Sequence, residues 1–111
     1  MRTLQNFIFF DQSSVAPQTS NVLVNSYNGS ELILQVSGTA TSLAIKVFTK
    51  ADQQNGEFVE TQVIGLAPEM DLFDEITKKG IYSVGVTGIR EIKLELVSSN
   101  GDVSVFGTIS E

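Results

Sequence analysis

The chain has 111 residues, of which 41% are hydrophobic and 18% are charged, and it contains no His, Cys or Trp. One hydrophobic core is expected at this length, while disulfides, thiolate-bound zinc and a thiol nucleophile are excluded. Thirteen acidic against seven basic residues give a net charge of −6, which argues against nucleic acid as a ligand because binding phosphates requires a basic face.

No apolar run in the chain approaches the ~18 residues needed to span a bilayer, so no membrane partner is expected. The apolar run Phe7–Phe10 is too short for the core of a signal peptide, and Asp11 ends it. The expected location is therefore a cytoplasm, or a particle assembled there.

The first segment in chain order is residues 1–18, in which Phe7–Phe10 precede a stretch rich in Ser, Gln and Pro. Two alternatives follow. Either the apolar run is a strand of the domain's own sheet, or residues 1–18 form an arm that reaches a neighbouring subunit. The strand is favoured, because chain termini are usually tied down by sheet pairing or by docking.

Apolar and polar residues then alternate with a period of two along most of the chain, which is typical of half-buried β-strands. The alternating runs are Glu31–Ser37, Leu43–Thr49, Phe58–Ile64, Tyr82–Thr87, Glu91–Leu96 and Val103–Ile109. Asn-Gly pairs at 28–29, 55–56 and 100–101 separate such runs, and both residue types tolerate the positive φ that tight hairpin turns require. The last pair predicts an antiparallel hairpin between Glu91–Ser98 and Asp102–Ser110.

The two halves of the chain also share a short pattern. Val36-Ser37-Gly38 precedes an alternating run, and Val86-Thr87-Gly88 does the same fifty positions later. Both copies predict a strand, a Ser/Thr-Gly turn and a second strand. A duplicated hairpin would suit a two-sheet sandwich, but unrelated β-hairpins share the same pattern, so both explanations stay open.

One segment departs from the period of two. Between Pro68 and Gly80, acidic residues come early and Lys78 and Lys79 come late, which is the charge order of a short helix. A looped crossover is the alternative. The predicted fold is therefore all-β, a single-domain antiparallel β-sandwich over residues 1–111, immunoglobulin-like or jelly-roll-like, with at most one short helix near 69–79.

Candidate chemistry is sparse. With no His, the usual general base near neutral pH is missing. The one dense acidic cluster, Asp71, Asp74 and Glu75, lacks the alternation of oxygen ligands and the glycine of a calcium loop, so a solvated surface is the favoured interpretation. We predict no catalytic, cofactor-binding or metal-binding residue, no cofactor, and a protein that is not an enzyme.

Four stretches resemble a family of small bacteriophage and prophage structural proteins. They are Leu4–Phe10, Leu34–Ser42, Gly80–Gly88 with the following Ile89–Leu96, and Asn100–Gly107. The resemblance implies a component of the virion, located on the capsid surface, on a head fibre or in the tail. The expected function is a non-enzymatic capsid decoration or head-fibre subunit attached to a larger lattice, and the alternative is a tail or baseplate module. Other virion proteins and copies of the chain itself are the expected partners.

Attachment to a lattice requires apolar side chains on a strand face or on the N-terminal segment. Phe7, Phe9 and Phe48 are the predicted interface residues, Phe48 because it interrupts the polar face of its strand. A carbohydrate-binding module for host-surface recognition is a further alternative. In that case Tyr27, beside the Asn28-Gly29 turn, is the predicted ligand contact.

Overall fold

The computed structural model describes residues 2–52 and 55–111, which form eleven β-strands and no helix. The strands are β1 (Thr3–Ser13), β2 (Gln18–Thr19), β3 (Leu23–Val24), β4 (Glu31–Ser37), β5 (Leu43–Lys50), β6 (Val59–Thr61), β7 (Val63–Ala67), β8 (Leu72–Phe73), β9 (Gly80–Gly85), β10 (Glu91–Ser99) and β11 (Val103–Ser110). Among the described residues, no helix is long and apolar enough to cross a bilayer.

The strands form two sheets, and every pairing between them is antiparallel. Sheet A has the order β1-β11-β4-β9-β7-β8, and sheet B has the order β2-β10-β5-β6, with β3 also paired to β10. Two sheets around one core confirm the predicted all-β, single-domain antiparallel sandwich. The inward-facing apolar residues of the alternating runs pack against each other between the two sheets.

The core follows the period-two pattern closely. In β5 the residues Leu43, Ile45 and Val47 are buried, and in β10 the residues Ile92 and Leu94 are buried, while their neighbours are partly exposed. The largest fully buried side chains are Leu23, Leu32, Leu34, Ile45, Ile76, Ile92, Leu94, Leu96, Ile109, Val47, Val63 and Val84. They come from both sheets, so each sheet stabilises the other through burial of its inner face.

The apolar run near the N-terminus lies in β1, which pairs with β11 of the same chain. The register shifts between Ile8 and Phe10, so β1 contains a bulge at that point. Because of the bulge, the consecutive residues Phe9 and Phe10 both point into the core, and only Ile8 is exposed.

The predicted hairpin at Asn100-Gly101 is wrong. Strand β10 belongs to sheet B and β11 to sheet A, so this connection crosses between the sheets. The Asn100 side chain holds the crossing: its Oδ1 accepts from the backbone N–H groups of Thr41 and Ser42 at 2.9 and 3.0 Å. An Asn-Gly pair indicates a sharp bend, but the distant strands that pair with β10 and β11 decide which sheet each one joins.

The other Asn-Gly pairs differ from one another. Asn28-Gly29 also lies in a crossing, from β3 in sheet B to β4 in sheet A. Asn55-Gly56 lies between β5 and β6, which do pair as an antiparallel hairpin. The predicted strand Phe58–Ile64 is divided, because Gln62 separates β6 in sheet B from β7 in sheet A.

The repeated pattern in the two halves does not form two hairpins. Gly38 and Gly88 have φ of 123° and 77°, and each lies where the chain crosses from sheet A to sheet B. Strands β4 and β9 are neighbours in sheet A, and β5 and β10 are neighbours in sheet B. The two copies are therefore matching inter-sheet crossings that lie side by side, and whether they descend from a duplication stays open.

The predicted helix over residues 69–79 does not form. Instead, Leu72–Phe73 pair with β7 at the edge of sheet A, and Ile76 exchanges two backbone hydrogen bonds with Ile45 of sheet B at 2.8 and 2.9 Å. The segment is thus the looped crossover, and it closes one open side of the sandwich. Burial of Ile76 to 1% exposure outweighs the helix signals, because an isolated helix of this length is only marginally stable.

Candidate attachment surfaces on the two sheets

The outer face of sheet A carries a set of exposed apolar side chains, which we call the apolar face. Register places Ile8 of β1 beside Phe106 of β11, and Ile64 of β7 beside Leu72 of β8. Ile81 of β9 lies between these pairs. Their exposed fractions are 56% for Ile8, 40% for Phe106, 47% for Ile64, 56% for Leu72 and 38% for Ile81.

The apolar face is nearly free of charge. The six strands of sheet A contain two charged residues, Asp11 near one end of β1 and Glu31 at the start of β4. Both are acidic. Glu31 Oε2 accepts a hydrogen bond from Ser83 Oγ at 2.8 Å, so its carboxylate is held at the rim of the face. The surface therefore combines exposed apolar side chains with uncharged polar ones such as Gln35, which lies between Phe106 and Ile81, and has acidic groups at its rim.

The outer face of sheet B is different. Lys46 lies 3.6 Å from Glu60, and Lys50 lies 4.0 Å from Glu91, measured between side-chain nitrogen and oxygen. Lys93 Nζ lies 4.3 Å from the centroid of the Phe58 ring and 6.0 Å from that of Phe48. Ion pairs and cation–π contacts therefore engage the three lysines of this face, Lys46, Lys50 and Lys93, within the chain, whereas the side chains of the apolar face meet solvent.

The predicted interface residues lie in three different surroundings. Phe9 is 5% exposed and belongs to the core, so it offers almost no surface to another protein. Phe7 is half-buried, with its ring edge-on to Phe9 at a centroid distance of 4.9 Å. Phe48 is half-buried on the outer face of sheet B. Contacts of Phe7 and Phe48 with another subunit stay predictions.

Sequence reasoning missed the residues that do face outward on sheet A. In the run Phe7–Phe10, Ile8 stands between two Phe residues and does not stand out as an exposed residue. A strict period of two would also have exposed Phe10 together with Ile8. The signal that could have found the apolar face is the alternation of β11, in which Phe106 is opposite in phase to Val105 and Gly107. The pairing of β11 with β1 places Phe106 beside Ile8, and the strand order of sheet A brings Ile81, Ile64 and Leu72 onto the same surface.

The edges of the sheets are poor attachment points. An exposed strand edge can pair with another chain, and natural proteins limit this with bulges or short edge strands. Edge strand β1 has three register irregularities along its pairing with β11. The other edge strands of the described chain, β2, β6 and β8, have only two or three residues each. Faces rather than edges are therefore the available surfaces.

Tyr27 is 64% exposed in the connection between β3 and β4. It precedes Asn28, whose φ is 53°, so the bend presents the ring away from the sandwich. An exposed ring is what a carbohydrate contact requires. Tyr82, the second tyrosine, has a buried ring that meets Phe73 edge-on at 6.2 Å, and its hydroxyl donates to the Lys78 carbonyl at 2.6 Å. Burial raises the pKa of the Tyr82 phenol above its ordinary value.

The acidic cluster lies in the crossover between β7 and β9. Asp71 and Asp74 are exposed and Glu75 is half-buried. Asp71 Oδ1 accepts from the Leu72 backbone N–H at 2.8 Å, and Asp74 Oδ1 accepts from Gln62 Nε2 at 2.7 Å. Within residues 2–52 and 55–111, no three His, Cys, Asp or Glu side chains come close enough together to hold a metal ion.

No protein-family model matches the chain, and no curated protein sequence matches it significantly. Two solved structures do. The SPBc2 prophage-derived protein YomS superimposes with a TM-score of 0.81 at 24% identity, over 95% of this chain and 90% of YomS. The PBSX exported protein XepA superimposes with a TM-score of 0.84 at 21% identity, over 97% of this chain but only 37% of XepA.

This chain shares its fold with prophage-derived proteins. Its β-sandwich is nearly the whole of YomS and about a third of XepA. The identities are too low to carry residue roles from either protein to this chain.

Proposed function

We propose that the chain is a non-enzymatic structural or accessory subunit of a phage particle, which attaches to a larger protein lattice through the apolar face. The observation that carries the proposal is the contrast between the two sheets. The outer face of sheet B pairs its three lysines within the chain, while that of sheet A exposes five large apolar side chains. The shared fold with two prophage-derived proteins supports the association with a phage.

Exposed apolar patches of this kind mark interaction sites, because burying them in a partner releases roughly 25 cal/mol for each Å² removed from water. Six strands about 4.8 Å apart, with about six residues each at ~3.3 Å per residue, span on the order of 500 Å². A standard interface buries about 800 Å² on each partner. One copy therefore binds modestly, and a symmetric lattice that repeats the contact strengthens the attachment.

The charges at the rim favour a particular partner. Asp11 and Glu31 are both acidic, and the whole chain carries a net charge of −6. A partner with an apolar centre and basic groups at its rim would be electrostatically complementary. We therefore propose another virion protein as the principal partner, with self-association as a weaker contact.

Capsid decoration or a head fibre is the proposed location within the virion, with a tail or baseplate position as the alternative. The deciding measurement is the copy number per particle, by quantitative mass spectrometry of purified virions against the major capsid protein. Hundreds of copies are expected for a decoration subunit. A handful would place the protein in the tail instead, and absence from the particle would overturn the proposal.

The surface itself is tested by charge insertion. Ile8→Asp and Leu72→Asp place a carboxylate in the apolar face at positions that are each 56% exposed. Val59→Asp is the matched control, because Val59 is 64% exposed on an edge strand of sheet B. We expect the first two variants to lose binding to purified particles, and the control to bind like the parent chain.

Circular dichroism and thermal unfolding must first show that all three variants are folded. Phe48→Asp is included as a further variant, since Phe48 is the predicted contact on sheet B. Loss of binding in Phe48→Asp together with normal binding in Ile8→Asp and Leu72→Asp would move the attachment surface to sheet B. Normal binding in all four variants would contradict attachment through either face.

A carbohydrate-binding module is the second candidate, and the exposure of Tyr27 supports it. An exposed aromatic ring can stack on a sugar ring, although this chain has no Trp to add a second platform. Binding on a broad glycan array that is lost in Tyr27→Ala would favour this function. If the chain bound no glycan on the array, the result would contradict this function.

A further inference from the structure

The three Asn-Gly pairs of the chain are each capable of spontaneous deamidation, and the fold places them in very different surroundings. Asn is thermolabile, and a following Gly has no side chain to hinder the reaction. We infer that Asn55 is the deamidation site of the folded protein, while Asn28 and Asn100 are protected until the chain unfolds. This inference does not depend on the proposed function.

In the reaction at Asn55, the backbone nitrogen of Gly56 attacks Cγ of the Asn55 side chain. A bond forms between that nitrogen and Cγ, the Cγ–Nδ2 bond breaks, and ammonia leaves with the proton from the backbone nitrogen. Water then opens the cyclic succinimide at one of its two carbonyls, which produces Asp or isoaspartate. The amide must therefore rotate over the next backbone nitrogen, and that nitrogen must be free to react.

Asn55 meets these requirements. It is exposed in the connection between β5 and β6, and its Nδ2 lies 3.5 Å from Asp52 Oδ2, at the outer limit of a hydrogen bond. Gly56 has φ of 87°, and no atom of residues 2–52 and 55–111 lies within 4 Å of the position where a side chain would begin. Among the contacts of the described residues, rotation of the Asn55 amide therefore breaks only this long contact with Asp52.

Asn28 is exposed, but the nitrogen that must attack it is not available. The Gly29 backbone N–H donates to Asn25 Oδ1 at 2.9 Å in a buried hydrogen bond. Gly29 is itself buried, and a Cβ there would lie 2.1 Å from Ile109 Cγ2. The peptide unit that would have to turn is therefore held by both a hydrogen bond and packing.

Asn100 is protected through its side chain. Its Oδ1 accepts from the backbone N–H groups of Thr41 and Ser42, and its Nδ2 donates to Thr41 Oγ1 at 2.8 Å. The Gly101 N–H also donates to Ser99 Oγ at 3.2 Å. Rotation of the Asn100 amide would break three hydrogen bonds that anchor the crossing between the sheets.

The test is peptide mapping by mass spectrometry after prolonged incubation at mildly alkaline pH, with and without denaturant. In the folded protein we expect the replacement of amide by acid at Asn55, with little at Asn28 and Asn100. In denaturant the three sites should react at similar rates, because all three are followed by Gly. Equal rates in the folded protein, an unreactive Asn55, or the same ranking in denaturant would overturn the inference.

Two variants separate the contributions. Gly56→Ala should remove most of the reaction at Asn55, because the new methyl group hinders ring closure. Asn25→Ala removes the acceptor that holds the Gly29 N–H, so Asn28 should become reactive while Asn100 stays slow. If Asn28 and Asn100 both become reactive, Asn25→Ala has unfolded the chain. The inference is then judged from the reaction rates of the parent chain with and without denaturant. A folded Asn25→Ala variant with an unreactive Asn28 would contradict protection by the hydrogen bond between the Gly29 N–H and Asn25.

Discussion

Asn25 is 2% exposed, and its side chain joins two connections that are distant in sequence. Nδ2 donates to the carbonyls of Gly29 and Ile89, each at 3.1 Å, and Oδ1 accepts from the Gly29 N–H at 2.9 Å. A buried amide is stable only when its polar groups are paired. The sequence contains no sign of this role, since Asn25 resembles any other polar residue of a loop.

We predict that Asn25→Ala lowers the free energy of unfolding by about 2–4 kcal/mol, because buried backbone groups lose their partners. Urea unfolding at neutral pH measures this. Asn21→Ala is the control, since Asn21 is exposed, and it should change stability by less than about 0.5 kcal/mol. Similar losses in both variants would contradict a special role for Asn25.

Tyr82 makes stability depend on pH in the alkaline range. Burial raises the pKa of its phenol above 10.0 in the folded state, whereas the unfolded chain keeps a pKa of about 10. As pH rises through this value, the unfolded state loses its proton first, so the free energy of unfolding falls. Well below a pH of about 10, Tyr82 is protonated in both states, and its contribution to the free energy of unfolding is fully present.

The expected result is a steeper loss of stability between pH ~9 and ~11 for the parent chain than for Tyr82→Phe, which has no phenol to titrate. Tyr82→Phe also loses the hydrogen bond to Lys78. This loss lowers the free energy of unfolding by the same amount at each pH below the transition, so it does not change the slope. Denaturant unfolding across this range compares the slopes. Parallel curves for the two proteins would show that Tyr82 does not titrate with unfolding.

At the scale of the elements, a glycine decides how β1 packs on β11. Gly107 lies opposite Phe7, and a Cβ at this position would be 2.8 Å from Phe9 Cε2 and 3.1 Å from Leu32 Cδ1. The missing side chain thus makes room for the inward-facing ring of Phe9. Period-two reasoning predicts an inward residue at 107, but not that it must be Gly.

Gly107→Ala should therefore destabilise the protein by about 1–3 kcal/mol through overpacking of the core. Gly85→Ala is the matched control, because Gly85 ends β9 in the same sheet with open space where its Cβ would lie. That change should be neutral or should stabilise by up to about 1 kcal/mol. Thermal unfolding of the pair gives the comparison, and equal effects would contradict the packing argument.

Inter-sheet crossings are the elements that local patterns predict least well. The pairs at Asn28 and Asn100 and the turns at Gly38 and Gly88 all lie where the chain passes between sheets. A hairpin and a crossing need the same bend-forming residues. They differ only in the partner that each following strand finds, and that partner lies far away in the chain.

For the whole molecule, the excess of acidic residues opposes the compact state through mutual repulsion. Residues 2–52 and 55–111 form four ion pairs. Three of them are substantially exposed: Arg2–Glu111, Lys46–Glu60 and Lys78–Glu69. Such pairs contribute little to stability. The fourth, Lys50–Glu91, has side chains that are 16% and 12% exposed. Screening of the net repulsion should therefore outweigh weakening of the pairs when salt is added.

We predict that moderate sodium chloride raises the midpoint of thermal unfolding, by up to about 5 °C. Calorimetry at low and near-physiological ionic strength measures this. The variant Asp11→Asn/Glu57→Gln removes two negative charges at exposed positions, so its increase should be smaller. A midpoint that falls with salt would mean that the ion pairs dominate.

Local sequence patterns were enough to predict the class of this protein: strands throughout, one core, and the residues of β4, β5, β10 and β11 that face inward. Alternation is a local property, since successive side chains of a strand point to opposite faces. Each alternating run thus shows by itself which of its side chains share a face, so these residues could be predicted without knowledge of the fold. The resemblance to phage structural proteins likewise depended on strand and turn patterns.

Contacts between distant parts of the chain establish which strands are neighbours, that residues 69–79 form a crossover rather than a helix, and that Ile8 rather than Phe9 faces outward. These features depend on pairings across long stretches of chain, such as β1 with β11 and Ile45 with Ile76. The apolar face has the same origin, because its residues come from five strands. Long-range pairing and burial outweigh weak local preferences, so this surface exists only in the folded molecule.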